Sequence, residues 1–185
     1  MNEFSRNEPR FALCGLNCCL CPRFHTEGAS RCPGCGGPGF VDKHPTCAVA
    51  TCNRKHDGVE FCFQCGAYPC KKYTEPPSTD SFISYREVGR DLLAAQRDLP
   101  AYLKELSRRE AALLLLLRDY DEGRSKGLYC LAVNLLPLDQ LESLMTGIQA
   151  DGELPALDLK ERARRVAALF RRRAEELHID LALRK

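Results

Sequence analysis

The chain has 185 residues, twelve of them cysteine, and a formal charge of +2. That length fits one domain, or one domain with a small appendage, and so even a charge balance argues against a polybasic or acidic interaction tail. The longest apolar block, Ala111 to Leu117, falls far short of the roughly 20 residues that span a bilayer, so no membrane association is expected.

The opening MNEFSRNEPRF holds no apolar run of the signal-peptide kind, and a cytoplasmic location is expected. A reducing compartment disfavours disulfides. The cysteines are therefore read as metal ligands rather than as a disulfide framework.

Phe11-Ala12-Leu13 is expected to form a short strand leading into Cys14. Between Cys14 and Cys70 lie eleven of the twelve cysteines. Cys18-x2-Cys21, Cys32-x2-Cys35 and Cys62-x2-Cys65 are CxxC pairs, and Cys47-x4-Cys52 is a wider one. A two-residue gap lets both sulfurs face one cation. In CPGCG (32–36) and CFQCG (62–66) the following glycine lets the chain turn so that backbone N–H groups point at the thiolates. From Cys14 to Tyr73 glycine and proline punctuate the chain, and large apolar residues show no sustained period. Such a segment buries too little apolar surface to offset chain entropy. Bound metal would supply the missing free energy, so this half is expected to fold only when loaded.

The spacing suggests zinc-ribbon-like knuckles, with Cys32, Cys35, Cys62 and Cys65 around one zinc in a closed tetrahedral shell. A second zinc would draw on Cys14, Cys18, Cys21, Cys47, Cys52 and Cys70. Four of these suffice, so their grouping stays open. His25, His44 or His56 could replace a thiolate, although a solvated loop histidine is the plainer reading. Cys19 is read as an unligated thiol. An iron–sulfur cluster is the alternative cofactor. Cys14-x3-Cys18-x2-Cys21 has the spacing of radical S-adenosylmethionine cluster ligands, but the alternating strands and helices those enzymes need do not follow. A closed four-thiolate zinc has no open position for water and cannot act as a Lewis acid. No catalytic residue is therefore named, and an enzyme is disfavoured. Residues 1–75 carry nine Lys/Arg and seven Asp/Glu. Eight thiolates on two divalent ions would turn this half net negative, which counts against a phosphate-binding surface.

Pro76-Pro77-Ser78-Thr79 reads as a linker between a metal module (1–75) and a helical bundle (76–185). Five helices are expected: Asp80 to Leu99, capped by Asp80 or Ser81; Pro100 to Asp121; Ser125 to Leu136, stopped by Pro137; Leu138 to Gln149; and Pro155 to Leu177. The tail, 178–183, alternates in polarity and is expected to form a strand beside residues 11–13. The loop Gly123–Gly127 offers a weak anion site at Arg124 and Lys126, with neutralisation by Asp119, Asp121 and Glu122 the favoured reading. Cys130 has apolar neighbours and reads as a packing residue. The arginines of the last helix (Arg162, Arg164, Arg165, Arg171, Arg172 and Arg173) suggest a nucleic-acid stripe, but Glu161 four residues before Arg165, and Glu175 and Glu176 four after Arg171 and Arg172, favour a paired, solvated face. Phe40, Phe61, Phe63, Tyr68 and Tyr73 read as a minimal core rather than as a base-stacking platform.

The segments CGLNCCLCPRF (14–24), CPGCGG (32–37) and FCFQCGAYPCKKY (61–73) resemble a prokaryotic family of cysteine-rich proteins known only as a domain of unknown function. SFISYREV (81–88), DEGRSKGLYCLAVNLLPLDQL (121–141) and LALRK (181–185) are similar to its longer members. The resemblance implies metal binding through Cys14, Cys18, Cys21, Cys32, Cys35, Cys47, Cys52, Cys62, Cys65 and Cys70, does not require Cys19, and brings no activity with it. The expectation is a mainly α protein in which a loop-rich metal module packs on a C-terminal helical bundle. Its function would be structural zinc binding that serves recognition of a protein partner, with nucleic acid not favoured.

Overall fold

A computed structural model describes residues 4–44, 46–56, 58–75 and 77–185. Among these the chain is mainly helical, with eight α-helices and no strand. Three are single turns in the cysteine-rich stretch: α1 (Phe40–Lys43), α2 (Ala48–Asn53) and α3 (Lys71–Thr74). The others are α4 (Val88–Arg97), α5 (Leu99–Asp119), α6 (Lys126–Leu135), α7 (Leu138–Ala150) and α8 (Leu159–Glu176). Two compact units emerge, Met1–Lys104 with Arg184–Lys185, and Glu105–Leu183. The division falls inside α5, whereas the composition changes at 76–79; Pro76 itself lies outside the described residues.

The expected strand at 11–13 is a tight turn instead. Phe11 bridges Asn17 in a single antiparallel pair, and Ala12 N–H donates to the Leu16 carbonyl at 2.8 Å. Gly15 sits at φ +93°, and a Cβ there would meet Leu92 Cγ at 2.5 Å, so the turn requires glycine. The tail forms no strand either. Arg184 N–H and guanidinium donate to the Asp80 carboxylate, while Asp80 N–H donates to the Arg184 carbonyl. Asp80 also accepts from Tyr85 N–H. Its carboxylate is thus committed, and the first long helix starts at Val88 rather than Asp80. Asp98 caps the next helix by accepting from Ala101 N–H at 3.0 Å, with Pro100 in the first turn as expected. The remaining helices begin and end within a few residues of expectation.

The first unit has more core than the cysteine-rich stretch alone would provide. Phe11, Leu13, Leu20 and Phe61 are fully buried, together with Leu92 of α4. Tyr102 is buried too, and its ring lies 4.8 Å from that of Phe11. In the second unit α6, α7 and α8 pack on one another. Tyr129 and Phe170 meet edge to face at 5.8 Å, and the Tyr129 hydroxyl donates to the Tyr120 carbonyl. Arg109 is buried because its guanidinium donates to the Val133 and Leu136 carbonyls, at 2.7 and 2.8 Å, at the end of α6. Cys130 is buried in α6.

Candidate functional site

The loops that carry the cysteines are stapled together by polar groups. Arg6 Nη1 donates to the carbonyls of Phe11 (2.9 Å) and Cys35 (3.3 Å), while Nη2 and Nε donate to the Glu60 carbonyl at 2.7 and 3.0 Å. The Glu60 carboxylate accepts from the backbone N–H of Glu8 and pairs with Arg6 at 3.2 Å. Cys62 N–H donates to the Leu13 carbonyl. Three segments far apart in sequence thus share one buried guanidinium. A second staple holds the Cys18 turn. Asn17 Nδ2 donates to Asp91 of α4 at 2.9 Å, and the Tyr102 hydroxyl donates to Asn17 Oδ1 at 2.8 Å. Short sequence windows gave no signal for Arg6, Asn17 or Tyr102, because their partners lie tens of residues away.

Locally, Cys18-x2-Cys21 and Cys62-x2-Cys65 each span a 3-10 turn, closed by the later N–H on the earlier carbonyl. Cys32-x2-Cys35 is held by Cys32 N–H on the Arg23 carbonyl and Cys35 N–H on the Pro9 carbonyl. Cys47 precedes α2, and its Sγ accepts from Ala50 N–H at 3.5 Å. Cys70 precedes α3. The two CxxCG motifs differ. Gly36 has φ +75°, with Arg6 Cγ 2.7 Å from where its Cβ would lie; Gly66 has an ordinary φ and open space around it. The turning role expected of both glycines therefore holds only at Gly36.

No disulfide joins the described cysteines. Cys52, Cys62, Cys65 and Cys70 line one cavity of about 30 Å³, with His56 and Tyr73 in the same wall. Cys35 lies in an apolar cluster with Phe4, Leu13 and Phe40, and Cys14, Cys18, Cys47 and Cys62 pack against it. Cys21 has Cys32 as an electrostatic neighbour. Of the quartet Cys32, Cys35, Cys62 and Cys65, the cavity takes Cys62 and Cys65, while Cys35 lies in the apolar cluster that Cys62 also touches. Among the described residues no three Cys, His, Asp or Glu side chains form a preset ion-holding group. Of the histidines, His56 faces the cavity, His25 bonds the Cys19 carbonyl and His44 stacks on Phe40.

Burial is the largest influence on these thiols. It pushes Cys14 up to about 12, with the neighbouring thiols Cys35, Cys47 and Cys62 adding to the rise and a backbone bond at Leu16 opposing it. Cys62 is pushed up to about 11, again chiefly by burial; Tyr73 opposes this and Cys70, Cys52 and Cys65 add to it. Burial also raises Cys18, Cys21 and Cys35, and at Cys35 the Arg6 charge and hydrogen bond pull the other way. At Cys14, Cys18, Cys21, Cys35 and Cys62 burial thus favours the neutral thiol when no metal is bound. A divalent cation among them would reverse this balance by favouring thiolate. The Tyr73 hydroxyl is buried without an oxygen or nitrogen partner and stands against the Cys62 thiol.

At 123–127 Asp121 accepts from the N–H groups of Gly123 and Ser125, both at 3.0 Å. The N–H donors that an anion at Arg124 and Lys126 would use are thus already bonded to a carboxylate. On α8, Arg164 pairs with Glu161, Arg172 and Arg173 with Glu176, and Arg165 with Glu153. The aromatics beside the cysteines pack on one another: Phe61 lies 5.4 Å from Phe11 and 5.3 Å from Phe63, and Tyr68 lies 5.0 Å from Tyr73. No described helix is long and apolar enough to cross a membrane.

A family model described as a protein of unknown function (DUF3795) matches residues 10–75, the stretch that holds eleven of the cysteines. The downstream segments that resemble longer members lie outside this match. No curated protein and no solved structure matches the chain.

Proposed function

We propose that the cysteine-rich stretch is a thiolate metal-binding module, with zinc the favoured ion, whose role is to hold a recognition surface in shape for a protein partner. The observation that carries this reading is the cavity shared by Cys52, Cys62, Cys65 and Cys70, four free thiols drawn from three successive local turns. The donors fit the ion: soft sulfur ligands select zinc or iron over magnesium and calcium. The cavity volume of about 30 Å³ suits one small guest, and Tyr73 adds a buried hydroxyl beside Cys62 that can donate to a thiolate sulfur. When bound, the ion would cross-link the turn at 62–65 to α2 and α3. Four thiolates would fill its coordination sphere, leaving no position for a reacting water. The module therefore shapes a surface and does no chemistry at the metal.

A second reading, an iron–sulfur protein, draws on the neighbourhood of Cys14 and Cys62, which joins the cavity thiols to the apolar cluster. Anaerobic purification followed by elemental analysis separates the two. Zinc with no visible absorption supports the first reading, a brown iron- and sulfide-containing sample supports the second, and a compact chain with neither metal rejects both.

A further inference from the structure

We infer that Cys14, Cys18, Cys35 and Cys47 form a second ion site, separate from the cavity of Cys52, Cys62, Cys65 and Cys70, which takes a divalent thiophilic cation such as zinc or cadmium. This rests on the metal-binding reading above and assigns its thiols. Cys35 is buried with Phe4, Leu13 and Phe40, and Cys14, Cys18, Cys47 and Cys62 pack on that same cluster; Cys62 is assigned to the other site because it also lines the cavity of Cys52, Cys65 and Cys70. The four come from three segments, each fixed by its own backbone bonds. Gly15 N–H on the Ala12 carbonyl sets the Cys14 turn, the Cys18–Leu20 turn sets Cys18, and Cys35 N–H is held by the Pro9 carbonyl. Cys47 precedes α2 with Ala50 N–H on its sulfur.

The surroundings select the ligand class. An apolar jacket with sulfur donors excludes hard, hydrated cations, which need oxygen ligands and retained water. Four thiolates around a divalent ion leave net negative charge. The Arg6 guanidinium, fixed 3.3 Å from the Cys35 carbonyl, and the Ala50 N–H oppose that charge. Cys21 and Cys32 neighbour each other and fall outside both sets. The two sites also differ in exposure. All four cavity thiols are half-buried and exposed Lys72 lines their wall, whereas this cluster includes the buried Cys35 among buried Phe4, Leu13 and Phe40. A chelator should therefore strip the cavity ion first.

Native mass spectrometry of the zinc-loaded full chain tests the division. Two ions are expected in the wild type, one in Cys47→Ser and one in Cys70→Ser. Retention of both ions by Cys47→Ser, or loss of both from either single variant, overturns the two-site division. A wild type with one ion, lost only in Cys70→Ser, overturns this inference and leaves the metal reading intact; a wild type with none overturns the metal reading itself. Where a variant fails to fold, the cadmium-113 spectrum of the cadmium-loaded wild type decides: two uncoupled resonances support separate sites, and cadmium–cadmium coupling through a shared thiolate overturns them.

Discussion

Arg6 holds Glu60 at two points. Its guanidinium donates to the Glu60 carbonyl at 2.7 Å and pairs with the Glu60 carboxylate at 3.2 Å, with only 2% of the Arg6 side chain exposed. The same group reaches the carbonyls ahead of Cys14 and at Cys35, so three cysteine loops share one cation. Arg6→Ala would leave those carbonyls buried without a donor, at a cost of about 3 kcal/mol. Arg6→Lys should recover little of this, because an ammonium lacks the planar fork. Urea denaturation of the full chain gives both numbers; a loss under about 1 kcal/mol would mean the pair behaves as a surface contact.

The clasp between Asp80 and Arg184 should depend on pH. Burial alone would raise the Asp80 carboxyl, but the bonds from Arg184 and Tyr85 N–H outweigh it and hold it well below the usual carboxylate range. A carboxyl with a depressed folded value stabilises fully above its unfolded value, near 4, and loses that stabilisation as pH falls toward the folded value. Asp80→Asn should therefore cost about 2 kcal/mol at neutral pH, and progressively less in acid. Denaturation midpoints of both proteins across that range check this; a gap that does not narrow in acid refutes it.

The twin CxxCG motifs should respond oppositely to alanine. A Cβ on Gly34, within the first motif, would sit 2.3 Å from the Pro9 carbonyl oxygen at φ +86°. Gly34→Ala should destabilise by about 2–3 kcal/mol. At Gly66 there is open space and no strained φ, so Gly66→Ala should be neutral or stabilise by up to about 1 kcal/mol. Thermal melts of the two variants decide, and equal losses would contradict the difference.

Metal removal should act on one unit. On the metal-binding reading, a strong chelator should increase amide exchange in the segments around Cys14–Cys21 and Cys52–Tyr73 while α6, α7 and α8 keep their protection. Hydrogen exchange of the full chain with and without chelator is the measurement. Unchanged protection around the cysteines would show that the apolar core and the Arg6 staple suffice unaided.

Tyr73→Phe removes the hydroxyl beside Cys62 while keeping the ring that packs on Tyr68. If that hydroxyl donates to a ligating sulfur, the variant should hold zinc about 10-fold more weakly with little change in the metal-free melt. Competition with a chromogenic chelator reads the affinity, and wild-type affinity would show that the hydroxyl does not support the ion.

The helices were legible because their signals are local: Pro100 in a first turn, Pro137 as a stop, and the apolar periodicity of α8. The first helix starts later than expected because Asp80 is committed to Arg184, and the last because Asp158 caps it after a 3-10 turn at Leu154–Ala156. The cysteine pattern proposes which thiols act together but carries no information on their neighbours from distant segments. Spacing alone pairs Cys32 with Cys35, and it gives no hint that their backbone N–H groups are held by Arg23 and Pro9. Composition between Cys14 and Cys70 also gives no sign that Leu92 and Tyr102 supply core from farther along the chain.

The return of Arg184 to Asp80 makes the second unit a nested insertion in the first, entered through α5 and left just before the clasp. A proteolytic nick between α5 and α6 would split the polypeptide without freeing the downstream fragment, because Arg109 of α5 stays bonded to the Val133 and Leu136 carbonyls, Tyr129 to the Tyr120 carbonyl, and Arg184 to Asp80. Non-denaturing chromatography would then show a single species where a denaturing gel shows two.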